Sequence, residues 1–446
     1  MKILIKNGHV VDPANNLDKA IDILIQDSKI HKVSEGIQAK VDLTVDAAGK
    51  MVLPGLVDMH VHLREPGRED KETIETATEA GLKGGITSLL AMPNTSPAID
   101  SAKSVRLLRE LISQKAKANV FICGAITKAR EGKELTDIAT LKNEGAIAIS
   151  DDGESVESSD LLSQALDRAH KENILVICHC EDKSLSRKGA INLGFISTCL
   201  GLRGIAKEAE YKRIERDVQL AQKINVPVHI THISCKESVE IIREAKGKKI
   251  KVTCDTCPHY FTLTEEAVLG YNTNMKVNPP LRTKEDVEAI KEGLRDGTID
   301  AIASDHAPHT ENEKEIEFEF AEFGTVGLET ELAICITELV EPGILTWSDL
   351  ARKLSLNPAK ILGLDKGALT EGKDADIIVV SPDQEWIVKK EEIVSKSKNC
   401  AFIGYKLKGV VEYTLCAGKI VYRKQDETYP HQRTGKINQV AEDLRV

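Results

Sequence analysis

The chain has no apolar run long enough to span a bilayer. Its opening, Met1-Lys2-Ile3-Leu4-Ile5-Lys6-Asn7-Gly8, lacks the long apolar core of a signal peptide. Both absences predict a cytoplasmic protein with no membrane partner. A basic excess is missing too: 60 Lys and Arg stand against 70 Asp and Glu, a formal net charge of −10. Phosphate backbones need a basic surface, so nucleic acid is excluded as the main partner. Ten cysteines scattered through a long chain form no secreted disulfide framework and read as reduced thiols. Cys254-Asp255-Thr256-Cys257 has no second pair to complete a zinc ribbon, and Pro258-His259 does not follow the haem-attachment pattern. These cysteines read as core-strand residues. Internal repeats and low-complexity tracts are absent.

What is present is an ordinary globular composition, 41% hydrophobic and 29% charged, able to build a substantial core. At 446 residues the chain exceeds an average domain, which predicts a barrel plus a satellite. Short apolar, β-branched runs occur at Leu56–Val61, Thr87–Met92, Val120–Ile126, Ala146–Ile149, Ile174–Cys178, Val226–Ile233, Ile250–Thr253 and Ile299–Ala303. Between them, Thr73–Lys83, Ala102–Lys115, Glu157–Lys171, Ala206–Lys223, Glu237–Ala245 and Lys284–Leu294 carry apolar residues at helical spacing. Alternating strands and helices imply parallel units, and this many of them a closed barrel. The ends of the chain have another texture: Ile3–Ile5, Ile21–Ile25, Val41–Val45, Asp376–Val380, Trp386–Val388, Val410–Leu415 and Lys419–Val421 are short strand-like runs. Neither end buries a core alone, so the two are expected to pair. The expected fold is α/β: a (β/α)8 TIM barrel over 54–345, with 1–53 and 346–446 (a C-terminal helix and the remaining strands) forming a small β-sandwich domain. Glu311–Glu322, rich in Glu, reads as a solvated loop over the barrel mouth, a lid.

His60-Val61-His62 closes the first barrel run, and alternate strand residues share a face, so both imidazoles can grip one metal ion. Further candidate ligands recur at later strand ends: Asp151-Asp152, His179, His232 and Asp305. In such barrels the C-terminal strand ends form the catalytic face. Zinc favours imidazole nitrogen and carboxylate oxygen, and catalytic sites keep a position open. His60, His62 and Asp305 would supply one metal, and His179 and His232 a second. A carboxylate between the two cations would come from Asp152 or its neighbour Asp151. His229 points to a different face from His232, which is nearer the strand end. Cys178 and Cys180 face away from His179. His9, His31, His170 and His431 read as surface or loop residues, His259 and His306 as supports behind the ligands.

Beyond these ligands, longer motifs resemble those of the dihydroorotases, of the bacterial class I type, in the amidohydrolase superfamily. The resemblance is carried by Pro54–Gly67, Met92-Pro93-Asn94-Thr95, Asp151-Asp152-Gly153, His179-Cys180-Glu181-Asp182, Val277–Arg282, Ser304–Thr310, Gly324–Thr330 and Leu369–Asp376. It covers nearly the whole chain. It implies metal ligands at His60, His62, Asp152, His179, His232 and Asp305, and one or two zinc ions, two favoured. It implies a substrate carboxylate held by Arg64, Asn94 and His309, a ring amide met by Asn278, and Phe323 and Gly324 completing the substrate site. A planar guanidinium suits a carboxylate better than a lysine would. The implied activity is reversible cyclisation of N-carbamoyl-L-aspartate to L-dihydroorotate in pyrimidine biosynthesis, with Asp305 also moving the proton; the alternatives are another cyclic amidase of the hydantoinase or allantoinase kind and a non-catalytic partner of aspartate transcarbamoylase. The implied partners are the substrate, further copies of the chain in a homo-oligomer, and aspartate transcarbamoylase. Hydantoinases and allantoinases place a carboxylated lysine at the end of strand four, where this chain has Ser150-Asp151-Asp152. The chain also departs from the family pattern at Ala206 and at Glu322, where a proline commonly precedes Phe323-Gly324.

Overall fold

A computed structural model describes residues 1–186 and 188–424. His431 and the rest of 425–446 lie outside the described residues. Strands Leu56–Val61, Ile86–Ala91, Asn119–Gly124, Ala146–Ser150, Leu175–Cys178, Val228–Ile230, Val252–Thr256 and Ala301–Ile302 form one eight-stranded sheet. They lie side by side in chain order, each parallel to the next. The first two are buried at every residue, as parallel strands covered by helices must be. The ring closes just past the strands, where His62 N–H donates to His306 O at 2.9 Å. Buried Asp58 stitches the same seam: its carboxylate accepts from His60 N–H at 3.0 Å, from Ser304 N–H at 3.3 Å and from the Ser304 hydroxyl. The outer helices start where the sequence predicts. Thr73, Ser101 and Thr283 form capping boxes ahead of Ile74–Lys83, Ala102–Lys115 and Lys284–Arg295, satisfying the free N–H groups of each first turn.

Both chain ends build the second layer pair. Strands Lys2–Lys6, Asp22–Gln26, Lys29–Ser34 and Leu43–Asp46 make a four-stranded sheet. His9–Asp12, Leu17–Ala20 and Met51–Pro54 join Ile377–Ile387, Lys406–Cys416 and Lys419–Arg423 in a six-stranded one. Ile3, Ile5, Ile23, Val52, Ile377 and Leu415 fill the core between them. Met51–Pro54 pairs with Ile377–Ile387 and, one residue later, the chain enters the barrel. Two expectations are corrected. The separate runs at 376–380 and 386–388 belong to one strand, Ile377–Ile387, whose register slips between Ser381 and Glu385. Pro382 and Asp383 interrupt the apolar pattern there without ending the strand. The Glu-rich 311–322 segment is not simply solvated: Lys314, Phe318 and Ala321 are buried. Lys314 Nζ donates to Glu322 O and Gly324 O, and Lys276 Nζ to Phe318 O and Glu319 O, so two buried ammonium groups hold the loop's carbonyls down.

At the barrel mouth Arg282 ties three strand-end loops together. Its guanidinium donates to Ser234 Oγ at 3.0 Å, Asn192 Oδ1 at 2.8 Å and Glu210 Oε2 at 3.2 Å. Arg282 and Glu210 are both buried, so removing one partner strands the other charge. Arg282→Met should lower unfolding free energy by about 3–5 kcal/mol in urea denaturation. Changing Glu210 to Leu as well should recover much of that loss, because the orphaned carboxylate goes with it.

Candidate metal centre

The residues singled out at strand ends converge on one buried space. Asp152 reaches every histidine in it: Oδ1 lies 3.3 Å from His60 Nε2, 3.5 Å from His179 Nδ1 and 3.5 Å from His232 Nε2, and Oδ2 lies 3.4 Å from His62 Nε2. Asp305 Oδ1 lies 3.4 Å from His60 Nε2 and 3.2 Å from His62 Nε2. His179 Nδ1 and His232 Nε2 are 2.9 Å apart. Asp151 turns the other way. Its carboxylate accepts from Ile126 N–H at 2.8 Å, Thr127 N–H at 3.0 Å and the Thr127 hydroxyl, anchoring the loop that carries Asp152. His229 also faces elsewhere, with Nε2 2.8 Å from Asp255.

Three of the four imidazoles are held from behind. His62 Nδ1 donates to Asn94 Oδ1 at 2.7 Å, and His60 Nδ1 to Thr231 Oγ1 at 2.7 Å. Thr231 passes its hydroxyl hydrogen to Asp255. His179 Nε2 lies 3.4 Å from Glu181 Oε2, which also accepts from Asn278 Nδ2 at 3.1 Å. With the outer nitrogen donating, the inner one presents its lone pair, the arrangement a metal-binding histidine requires. His60 Nε2 and Asp152 Oδ1 are buried with no hydrogen-bond partner among the described residues. Separations of 3.2–3.4 Å among His60, His62, Asp152 and Asp305 match the ligand–ligand edge, about 3.3–3.4 Å, around a tetrahedral ion bound at zinc–nitrogen distances. Among the described residues three groups are compact enough for one ion each: His60 with His62 and Asp305, His60 with Asp152 and His232, and Cys257 with His259 and Asp305. The donor set fits divalent metal.

Without a cation the cluster is electrostatically coupled. Burial opposes protonation of His60, but Asp152 and Asp305 outweigh it and hold its pKa up to about 10. Burial likewise opposes charge on His179, which Asp152 and Glu181 lift to about 9. Burial lowers His62, and neighbouring Arg64 adds to that. Burial would raise Asp152 and Asp305, yet the surrounding histidines keep both carboxylates well below their ordinary range. Three residues of the site lie in the left-handed backbone region: Arg64 at φ 59°, His232 at φ 40° and Asp305 at φ 46°. Such conformations cost about 1–3 kcal/mol each and persist where the surroundings impose them.

Above the cluster, Arg64 Nε donates to Pro308 O at 3.1 Å, and its Nη2 lies 3.2 Å from His309 Nε2. Phe323 lies with its ring centre 4.6 Å from Lys276 Nζ. Gly324 has φ 141°, and a Cβ there would lie 2.7 Å from Ala307, so this close turn requires glycine. Asn94, expected to meet substrate, spends its carbonyl oxygen on His62 and retains only its amide N–H groups for another partner. His306 sits behind the site at 3.3 Å from Glu72, and Cys254 and Cys257 are buried and free. Asp255, Thr231 and Glu181 were not singled out by the sequence reading. Asp255 sits inside the Cys254–Cys257 stretch, and its contacts with His229 and Thr231 are made only in the folded chain.

Comparison with known proteins agrees with this architecture. Residues 49–238 match the "Dihydro-orotase-like" family model, and residues 284–422 the "Amidohydrolase family" model. A dihydroorotase of Elusimicrobium minutum is 50% identical over 94% of this chain and 97% of its own. A dihydroorotase of Acetivibrio thermocellus is 49% identical over 95% and 99%. Among solved structures, the L-hydantoinase of Arthrobacter aurescens superposes with a TM-score of 0.86 at 25% identity, covering 95% of this chain and 96% of its own.

Two outcomes follow. Asp152→Asn should lose metal on dialysis, since a neutral amide cannot screen neighbouring cations, whereas Asp151→Asn should retain it and lose stability; elemental analysis and thermal unfolding separate the two. Because His60 and His179 hold protons that a cation must displace, zinc affinity measured by chelator competition should rise steadily from about pH 6 to about pH 9.

Proposed function

The chain belongs to the dihydroorotase family of amidohydrolases and is a cyclic amide hydrolase, and we propose that it interconverts N-carbamoyl-L-aspartate and L-dihydroorotate with zinc held by His60, His62, Asp152, His179, His232 and Asp305. The observation that carries the reading is the Arg64–His309 pair set beside a buried cluster with unpartnered Nε2 and Oδ1 atoms. It joins a carboxylate-binding fork to a metal-binding donor set in one barrel mouth. Two zinc ions would fit the donor count, Asp152 being among the residues that would hold them. Synthesis of the ring serves pyrimidine biosynthesis in the cytoplasm. A homo-oligomer and a complex with aspartate transcarbamoylase accompany the reading.

Bound zinc supplies Lewis acidity, polarising the reacting carbonyl and making a water molecule more acidic. The side chains do the rest. Arg64, His309 and the Asn94 amide hold the substrate carboxylate and thereby fix the ring over the cluster. Asn278 meets the ring amide, while Phe323 and Gly324 shape the side wall against water. In hydrolysis Asp305 accepts the proton of the attacking water at its carboxylate and delivers it to the departing ring nitrogen as the carbon–nitrogen bond breaks. In ring closure it takes the proton from the attacking ureido nitrogen and gives it to the departing oxygen. Hydrolysis creates a carboxylate that is ionised near neutrality, so closure consumes a proton and is favoured as pH falls.

Asp305→Asn keeps the shape of the side chain and cannot accept a proton. Turnover should fall at least about a thousandfold in both directions, with metal content falling much less. A variant that retains metal and more than about a tenth of parental turnover contradicts the assignment. Arg64→Met should lower efficiency on dihydroorotate by about a hundredfold. Dihydrouracil, which lacks the carboxylate, should be a poor substrate for the parent and hardly affected by the change. Equal losses on both compounds would assign Arg64 to the fold instead.

A further inference from the structure

Lys71 is buried although it carries a charge, at 4% exposure. Its position is fixed by its own backbone: Lys71 N–H donates to Arg68 O at 3.0 Å, and its carbonyl accepts from Ser397 Oγ at 2.7 Å. The ammonium has two partners, Glu313 Oε1 at 2.9 Å and His309 Nδ1 at 3.0 Å. An ammonium group can only donate. The ring nitrogen facing it must therefore offer a lone pair, which leaves the single proton of a neutral imidazole on Nε2. Burial and the charges of Arg64, Lys71 and Lys314 all disfavour a second proton, so His309 stays neutral and its pKa lies far below the ordinary imidazole range. At 3.6 Å, Glu313 Oε2 is too distant to claim a proton from Nδ1.

Nε2–H then faces Arg64 Nη2, another donor, at 3.2 Å. Two donors pointing together satisfy neither. An anionic oxygen placed against both satisfies the pair at once. We propose that Lys71 is a positioning residue that sets the tautomer of His309, so that imidazole and guanidinium both donate to the substrate carboxylate. The inference rests on the preceding reading that His309 meets that carboxylate. Without the ammonium, Nδ1 can carry the proton and turn it toward Glu313. Nε2 then becomes an acceptor that occupies Arg64 internally and closes the anion site.

The test uses the full-length, metal-loaded enzyme labelled with ¹⁵N-histidine. The parent should show His309 as the Nε2–H tautomer, assigned by the signal lost in His309→Ala, and Lys71→Met should show the Nδ1–H form. The same variant should raise KM for dihydroorotate about thirtyfold while kcat stays within about threefold, and should leave dihydrouracil turnover unchanged. Lys71→Arg, also a pure donor, should keep the parental tautomer and KM. If the Met variant does not fold, Lys71→Leu carries the test, since it too removes the donor facing Nδ1 and supplies none in its place. A parental tautomer and KM in the folded Met or Leu variant overturn the proposal, as does an Arg variant that behaves like Met. His309→Ala separates the two levels. If it raises KM and the Lys71 variants do not, the role of Lys71 alone falls; if it leaves KM unchanged, the carboxylate reading falls with it.

Discussion

Four imidazoles and two carboxylates drawn into one buried space impose the constraint to which the barrel mouth is shaped. Asp152 lies within 3.5 Å of each imidazole, with its own Oδ1 unpartnered. Buried charges at such separations are tolerated only when paired, and a divalent cation pairs with all of them together. Other features serve that convergence. Asp58 joins the first and last strands directly beneath His60 and Ser304. Asp151 pins the loop that aims Asp152. Left-handed backbone at His232 and Asp305 turns side chains inward from strand ends that would otherwise run past the site.

Support also comes from the outer side of each ring. Asn94 fixes His62, Thr231 and Asp255 fix His60, and Glu181 lies against His179 while holding Asn278. Residues assigned to substrate and to metal are thus mechanically linked. On the proposed reading, a substrate carboxylate at Asn94 and a ring amide at Asn278 would bear on the orientation of His62 and His179. The loop above is secured by a different device. Buried Lys276 and Lys314 bind its carbonyls, so a segment dense in acidic side chains is held by its backbone.

The barrel was legible because parallel strands covered on both faces are dominated by apolar, β-branched residues, a texture the eight share despite buried polar residues such as Asp58, His229 and Asp255. The candidate ligands were legible because each lies at or within a few residues of the C-terminal end of one of these strands. Less visible were elements whose pattern is broken, as in Ile377–Ile387, where Pro382 and Asp383 split one strand into two apparent runs. The anchoring of the 311–322 segment was not legible because charge composition cannot reveal that Lys314 and Phe318 are buried. Asp255, Glu181 and Lys71 act through other side chains, and their partners lie 24, 2 and 238 positions away in the chain. No local pattern announces the contacts of Asp255 and Lys71; only the folded arrangement brings Lys71 to His309.

The most direct test of the shared centre is anomalous scattering from crystals of the zinc-loaded protein, collected on both sides of the zinc edge. The account predicts zinc peaks flanking Asp152, one ligated by His60, His62 and Asp305 and the other by His179 and His232. Zinc bound by Asp151, or bound away from Asp152 at Cys257 and His259, would contradict it.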